Sequence, residues 1–209
     1  SVFSEIDLSH NQLSGPIPAE FAYLDGAGMW PHIWLDLSHN QLSGPIPAAL
    51  GQMADQAIFG ISWDFSNNQL TGTLPVGLIG TTGFGSLNGL DVSHNPLTGP
   101  LPPDFLNSAL SILRFTDTHI CEPEDSAFQS WLYGLRVLES SDQTCICDNP
   151  QLAGLSSAEC DGLVDLFNYT SGATWTEHTN WLATTEPCAW QGVTCDNGAV
   201  TALELGDNG

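Results

Sequence analysis

Apolar and polar positions in the first half of the chain alternate in short bursts: Ile6-Asp7-Leu8, Leu35-Asp36-Leu37, Trp63-Asp64-Phe65 and Leu90-Asp91-Val92. Successive side chains of a strand point to opposite faces, so each burst predicts a short strand with two apolar residues inward and one acidic residue outward. Each burst is closed by an asparagine, and Asn11, Asn40, Asn68 and Asn95 lie 29, 28 and 27 residues apart. A fixed period of this length predicts a solenoid, in which each coil buries its apolar face against its neighbours. The asparagine is not there for hydrophobicity; its amide is expected to satisfy backbone groups of the turn it closes and of the adjacent coil. Gly-Pro-Ile-Pro stretches follow, and proline excludes helix interior there, so they are expected on the outer, convex side.

Two runs are nearly identical, IDLSHNQLSGPIPAEF from Ile6 and LDLSHNQLSGPIPAAL from Leu35, and DFSNNQLTGTLP and DVSHNPLTGPLP repeat them more loosely from Asp64 and Asp91. These runs resemble the LxxLxLxxNxLxGxIP subclass of the extracellular leucine-rich repeat family, known from plant receptors and secreted bacterial proteins. The resemblance implies an α/β solenoid, a right-handed coil with a parallel concave sheet, convex loops and 3-10 turns, and small helical disulfide-bonded caps. It also implies binding of proteins, peptides or glycans, with no enzymatic activity.

A fifth burst, Leu113-Arg114-Phe115, carries Thr118 in place of the asparagine, which signals the end of the repeats. Asp125, Phe128, Trp131, Leu132 and Leu135 then follow helical spacing, with Pro123 suited to the first turn and Gly134 near the stop. ICEPEDSAFQSWLYGL with Cys145 looks like the C-terminal cap of bacterial members. Beyond it, Ser156 and Glu159 form a capping-box pattern ahead of the amphipathic Cys160, Leu163, Val164 and Phe167. Together with the tryptophans and the terminal Leu203, Leu205 and Asn208, this second segment looks like an N-terminal cap of the same family. The expected organisation is repeats over residues 1–120, a C-terminal cap over 121–150 and an N-terminal-type cap over 151–209.

That order is inverted for a free-standing domain and predicts a joint. Direct covalent repetition leaves 12 residues from Leu205 to the next Leu8, whereas a coil needs about 20–29. The expectation is either one period of a longer tandem protein with further residues at the join, or a non-covalent head-to-tail contact between copies, with Leu203, Leu205 and Asn208 of one copy completing the open coil of Ile6, Leu8 and Leu13 in the next. A contact that does not close builds a filament, so a structural or adhesive fibre subunit is the first functional reading. Recognition of a protein, peptide or glycan on the concave face is the alternative.

Composition sets the surroundings. No lysine, two arginines and 24 acidic residues give a formal net charge of −22, which repels nucleic acid and anionic membranes. No apolar run is long enough to span a membrane. Six cysteines point to an oxidising, extracellular setting, secreted or at the cell surface. The cap resemblance implies Cys121–Cys145 and Cys188–Cys195 disulfides and leaves Cys147–Cys160 to tie the caps together. Cys145 and Cys147 are interchangeable in this reasoning, so that alternative stays open.

Candidate ligand-binding residues lie on the outward strand positions: Asp7, Trp34, Asp36, Asp64, Asp91 and Arg114. The aspartates should stack about 4.8 Å apart, a row that needs hydrogen-bond donors, water or calcium between like charges. Calcium is the one ion the pattern suggests; no cofactor and no dedicated metal site is expected. His10, His39 and His94 recur at one position and read as exposed loop residues rather than ligands. Trp34, with Trp30 before it, could stack on a peptide or a sugar ring. No catalytic motif is present, and Asn168-Tyr169-Thr170 is a glycosylation sequon.

Overall fold

The computed structural model describes residues 5–23, 33–56, 60–79, 87–141, 145–148, 155–182 and 186–208. Trp30 lies outside them. In chain order the strands are β1 (Glu5–Asp7), β2 (Ser14–Gly15), β3 (Ile33–Asp36), β4 (Gln41–Gly44), β5 (Ile61–Asp64), β6 (Gln69–Leu70), β7 (Leu87–Asp91), β8 (Thr98–Pro100), β9 (Ile112–Arg114), β10 (His119–Cys121), β11 (Val137–Glu139), β12 (Val193–Asp196) and β13 (Ala199–Leu203). The helices are α1 (Gly51–Gln56), α2 (Ser126–Leu132) and α3 (Ser157–Tyr169). Two compact units divide the chain, residues 1–143 and 144–209.

In the first unit, six strands form one parallel sheet in the order β1-β3-β5-β7-β9-β11. It is a leucine-rich solenoid. Its register aligns Ile6, Leu35, Trp63, Leu90, Leu113 and Leu138 in one column. All but the half-buried ends of that column are buried in a core that includes Leu37, Phe65, Val92 and Phe115. The sixth strand, β11, was not expected; it lacks a closing asparagine, yet it covers β9 and carries the stack on into the cap. Next to it, α2 begins at Asp125, whose Oδ1 accepts from the amides of Ala127 and Phe128 at 3.0 Å each. Pro123 therefore stands ahead of the cap rather than in the first turn. Phe128 and Leu132 seal the core from this helix.

A second row of short parallel pairings, β2-β4-β6 and β8-β10, lies just before the proline stretches. Each coil turns there on a glycine with positive φ, at Gly15, Gly44, Gly72 and Gly99, where only glycine avoids a Cβ clash with its own backbone. A second left-handed position precedes the asparagine column: His10, His39, Asn67, His94 and Asp117, with φ of 51 to 56°. Asparagine and aspartate tolerate this conformation best because their side chains bond locally.

The second unit is built on α3. Its start carries the full capping box: Ser156 Oγ takes the Glu159 amide, while the Glu159 carboxylate takes the Ser156 amide. Phe167, Trp181, Trp190 and Val193 form its core with Leu163; Trp181 stacks on Phe167 at 5.5 Å and donates its Nε1 proton to the Gln191 carbonyl at 2.8 Å. β12 and β13 form an antiparallel hairpin around Asn197-Gly198, both with positive φ, as a two-residue hairpin turn requires. Cys188–Cys195 and Cys147–Cys160 are disulfides. Both halves of the latter belong to the second unit, so it holds the segment before α3 onto that helix rather than bridging two caps. Cys121 and Cys145 are disulfide-bonded as well.

Candidate recognition surface

The parallel register that buries the apolar column also sets two outward columns. One runs Glu5, Trp34, Ser62, Gly89, Ile112 and Val137; the other runs Asp7, Asp36, Asp64, Asp91, Arg114 and Glu139. All six expected ligand-binding residues thus lie on one sheet face. Trp34 is 53% exposed, an unusual place for a large ring in a molecule that buries its other strand tryptophan, Trp63, to 2%. Its neighbours across the sheet are small beyond β3, with Ser62 and then Gly89 in the same column.

Four stacked carboxylates would repel, and the chain answers this with local donors. Each aspartate is followed two residues later by serine, and its Oδ1 accepts that backbone amide: Ser9 at 3.0 Å, Ser38 at 2.9 Å, Ser66 at 3.0 Å and Ser93 at 3.0 Å. The hydroxyls of Ser9 and Ser93 add second bonds at 2.7 and 2.5 Å. At the solvated edge these bonds dominate, and the Ser9 hydroxyl and amide hold the Asp7 carboxyl below its ordinary range. In mid-sheet, burial dominates instead: desolvation raises Asp64, the Ser66 bonds pull the other way, and the Asp91 and Asp36 charges add to the rise. The row ends on a cation, with Arg114 Nε 3.0 Å from Glu139 Oε1 and its Nη1 3.8 Å from Asp91 Oδ2. Among the described residues, no group of three or more histidine, cysteine, aspartate or glutamate side chains is placed to hold a metal ion. The aspartates face outward in a line instead of converging.

The left-handed column forms the border of this face. His10 and His39 stack with ring centroids 4.2 Å apart and planes within 9°, and His94 Nδ1 sits 3.0 Å from Asp117 Oδ2. These histidines are exposed, as expected of loop repeats; their pairing follows from the register.

The six residues expected at an assembly joint lie in the first coil of the solenoid and in the second unit. In coil 1, Leu13 is 40% exposed, whereas its equivalent Leu42 is 5% exposed. Leu8, Leu13, Ile17 and Phe21 line an apolar cavity of about 260 Å³ there. In the second unit, Leu203 is 42% exposed, and Leu205 and Asn208 line a cleft of about 470 Å³ with Leu166 and Trp175. Asn168, of the glycosylation sequon, lies near the end of α3 with its Nδ2 buried.

The Leucine Rich Repeat family model matches residues 3–24, 33–53 and 86–108. Comparison with curated proteins finds no match. Among solved structures, the chain is similar to the leucine-rich repeat ectodomain of the plant membrane receptor kinase GASSHO1/SCHENGEN3 from Arabidopsis thaliana, in complex with Casparian strip integrity factor 2. That similarity is 27% identity over 68% of this chain and 16% of that one, with a TM-score of 0.50. It is also similar to the BIR2 ectodomain from the same plant, at 31% identity over 55% of each chain and a TM-score of 0.41. The BIR3–SERK2 complex, again from Arabidopsis thaliana, gives 28% identity over 55% of each chain and a TM-score of 0.41. The chain thus spans 55% or less of each of these relatives.

Proposed function

We propose that this chain, a leucine-rich repeat protein, is a non-enzymatic extracellular recognition module that holds a protein or peptide segment on the outward face of its six-stranded sheet. The observation that carries the reading is Trp34, half in solvent at the centre of a strand and flanked by a row of carboxylates. An exposed tryptophan offers a large contact area with little side-chain entropy to lose, and rings of this kind anchor binding sites. The Asp36 and Asp64 carboxylates beside it, in a chain of net charge −22, favour a cationic partner segment. The receptor ectodomain with a TM-score of 0.50 is in complex with Casparian strip integrity factor 2, which agrees with this use of the fold. Disulfide-bonded cysteines suit an oxidising compartment, and among the described residues no helix is long and apolar enough to cross a membrane.

The test is a displayed peptide library panned against the intact chain, with selected peptides titrated by calorimetry. Trp34→Ala should weaken binding at least tenfold, about 1.4 kcal/mol, without moving the unfolding midpoint. Peptides that bind Trp34→Ala as tightly as the parent would overturn the reading, and selective capture on a glycan array would redirect it to sugars.

A further inference from the structure

We infer that the segment held on this face carries an arginine, laid flat on Trp34 with its guanidinium on the Asp36 carboxylate, and an aliphatic residue four positions away, seated against Ile112 and Val137. This rests on the recognition reading and names the chemistry recognised. The ground is the register of the sheet. Trp34 stands between Glu5 on β1 and Ser62 on β5 in one outward column, and Asp36 follows two residues on along its own strand, with Asp7 beside it. A ring that is 53% exposed is thus bordered by the carboxyl groups of Glu5, Asp7 and Asp36. Among the described residues no arginine is paired with any of the three, and Arg114 is held by Glu139 and Asp91. The Ser38 amide donates to Asp36 Oδ1 at 2.9 Å, which leaves Oδ2 to face an incoming donor.

An aromatic ring edged by carboxylates suits a cation, and the two cationic side chains use it differently. A guanidinium is planar: it stacks on the indole face and still turns N–H donors in its own plane toward a carboxylate. An ammonium is a compact, strongly hydrated charge without that fork. Beyond Trp34 the column drops to Ser62 and then Gly89, where a Cβ would come within 3.0 Å of Ser62 Oγ. The floor is low there and admits a crossing backbone. It rises again at Ile112 and Val137, both half-buried. Trp34 and Ile112 are three strands apart, about 14 Å, which four residues of extended chain span at about 3.3 Å each. Residues four apart in such a chain also point to the same side. Charge fixes which end takes the cation: Arg114 shares β9 with Ile112 and opposes it, whereas Glu5 and Asp7 attract it at the Trp34 end.

The experiment takes the displayed peptides selected on the intact chain that lose affinity for Trp34→Ala and resynthesises each in altered forms. In one form the arginine becomes lysine, in another alanine, and in two more a residue is removed or inserted between the arginine and the aliphatic position. The expected result is arginine and an aliphatic residue four apart in the selected peptides, with about tenfold weaker binding of the lysine form and a comparable loss on respacing. Asp36→Asn, which keeps the oxygen that accepts the Ser38 amide, should weaken the arginine peptide and leave its alanine form unchanged, the coupling a direct pair requires. Trp34-dependent peptides that lack arginine, or that bind as well in their lysine or respaced forms, overturn the inference and leave recognition standing. A library that yields no Trp34-dependent peptide overturns both.

Discussion

Asn11 and Asn68 are the same residue in the same repeat position, yet their surroundings predict different energetic weights. Asn68 is 8% exposed and bonds Leu37, Phe65 and Ser66 carbonyls and the Leu42 amide. Alanine there leaves the Leu42 amide buried without its acceptor and takes one bond each from the Leu37, Phe65 and Ser66 carbonyls, which keep those from Asn40, Asn95 and His39. Unpaired buried groups cost more than the net worth of the bonds they lose, so Asn68→Ala is expected to cost about 3 kcal/mol and lower the unfolding temperature by roughly 6–12 °C. Asn11, at the solvated rim, bonds two carbonyls that water serves nearly as well. Asn11→Ala is expected to cost under about 1 kcal/mol in the isolated chain. Thermal unfolding of the two variants side by side checks the contrast; equal losses would refute the assignment of the column as buried bonding rather than surface decoration.

At the level of elements, the aspartate column couples the strands electrostatically, and its edge and its middle titrate in opposite senses. Asp64, between β3 and β7, has its folded-state pKa raised by burial, so ionising it weakens the fold; that penalty is absent at low pH and complete once pH exceeds the folded value. Asp7, bonded by Ser9 on the edge strand, has its folded pKa lowered, so its stabilisation is complete above the unfolded value and is lost as pH falls through the folded one. Asp64→Asn should therefore raise the denaturation midpoint at neutral pH and Asp7→Asn should lower it; on acidification the Asp64 difference fades first, through its raised folded value, and the Asp7 difference later, through its lowered one. Urea titrations across that range decide it. The columns themselves were legible in the sequence, because period-two alternation and the 27- to 29-residue repeat fix which residues share a face. Other elements carry no such signal. β2, β4 and β6 are too short to alternate, and β11 has neither the closing asparagine nor a second buried leucine. The hairpin of β12 and β13 turns on Asn197-Gly198, a pair whose turn chemistry is legible in the sequence. For the candidate surface, the sequence located Trp34 on the outward face; the burial that raises Asp64 and the burial of the Asn168 amide depend on neighbours from other coils or from the core of the second unit.

For the whole molecule, a charge of −22 carried on 209 residues is a repulsive load on the folded state. Raising NaCl from about 10 mM to 1 M shortens the screening length from about 30 to 3 Å. The unfolding temperature is expected to climb across that range, measured by calorimetry; a flat or falling curve would mean that the hydrogen-bonded carboxylates and the Arg114 pairs outweigh the repulsion. The same composition has a consequence for survival outside a cell. A protease that cuts after cationic side chains finds two targets, Arg114 and Arg136. Arg114 lies in β9, with β7 and β11 bonded on either side, and its guanidinium is held by Glu139 and Asp91. Arg136 stands exposed between α2 and β11. The folded chain thus offers trypsin-like enzymes a single turn in the cap, and the repeat face that carries Trp34 presents no accessible bond for them to cut.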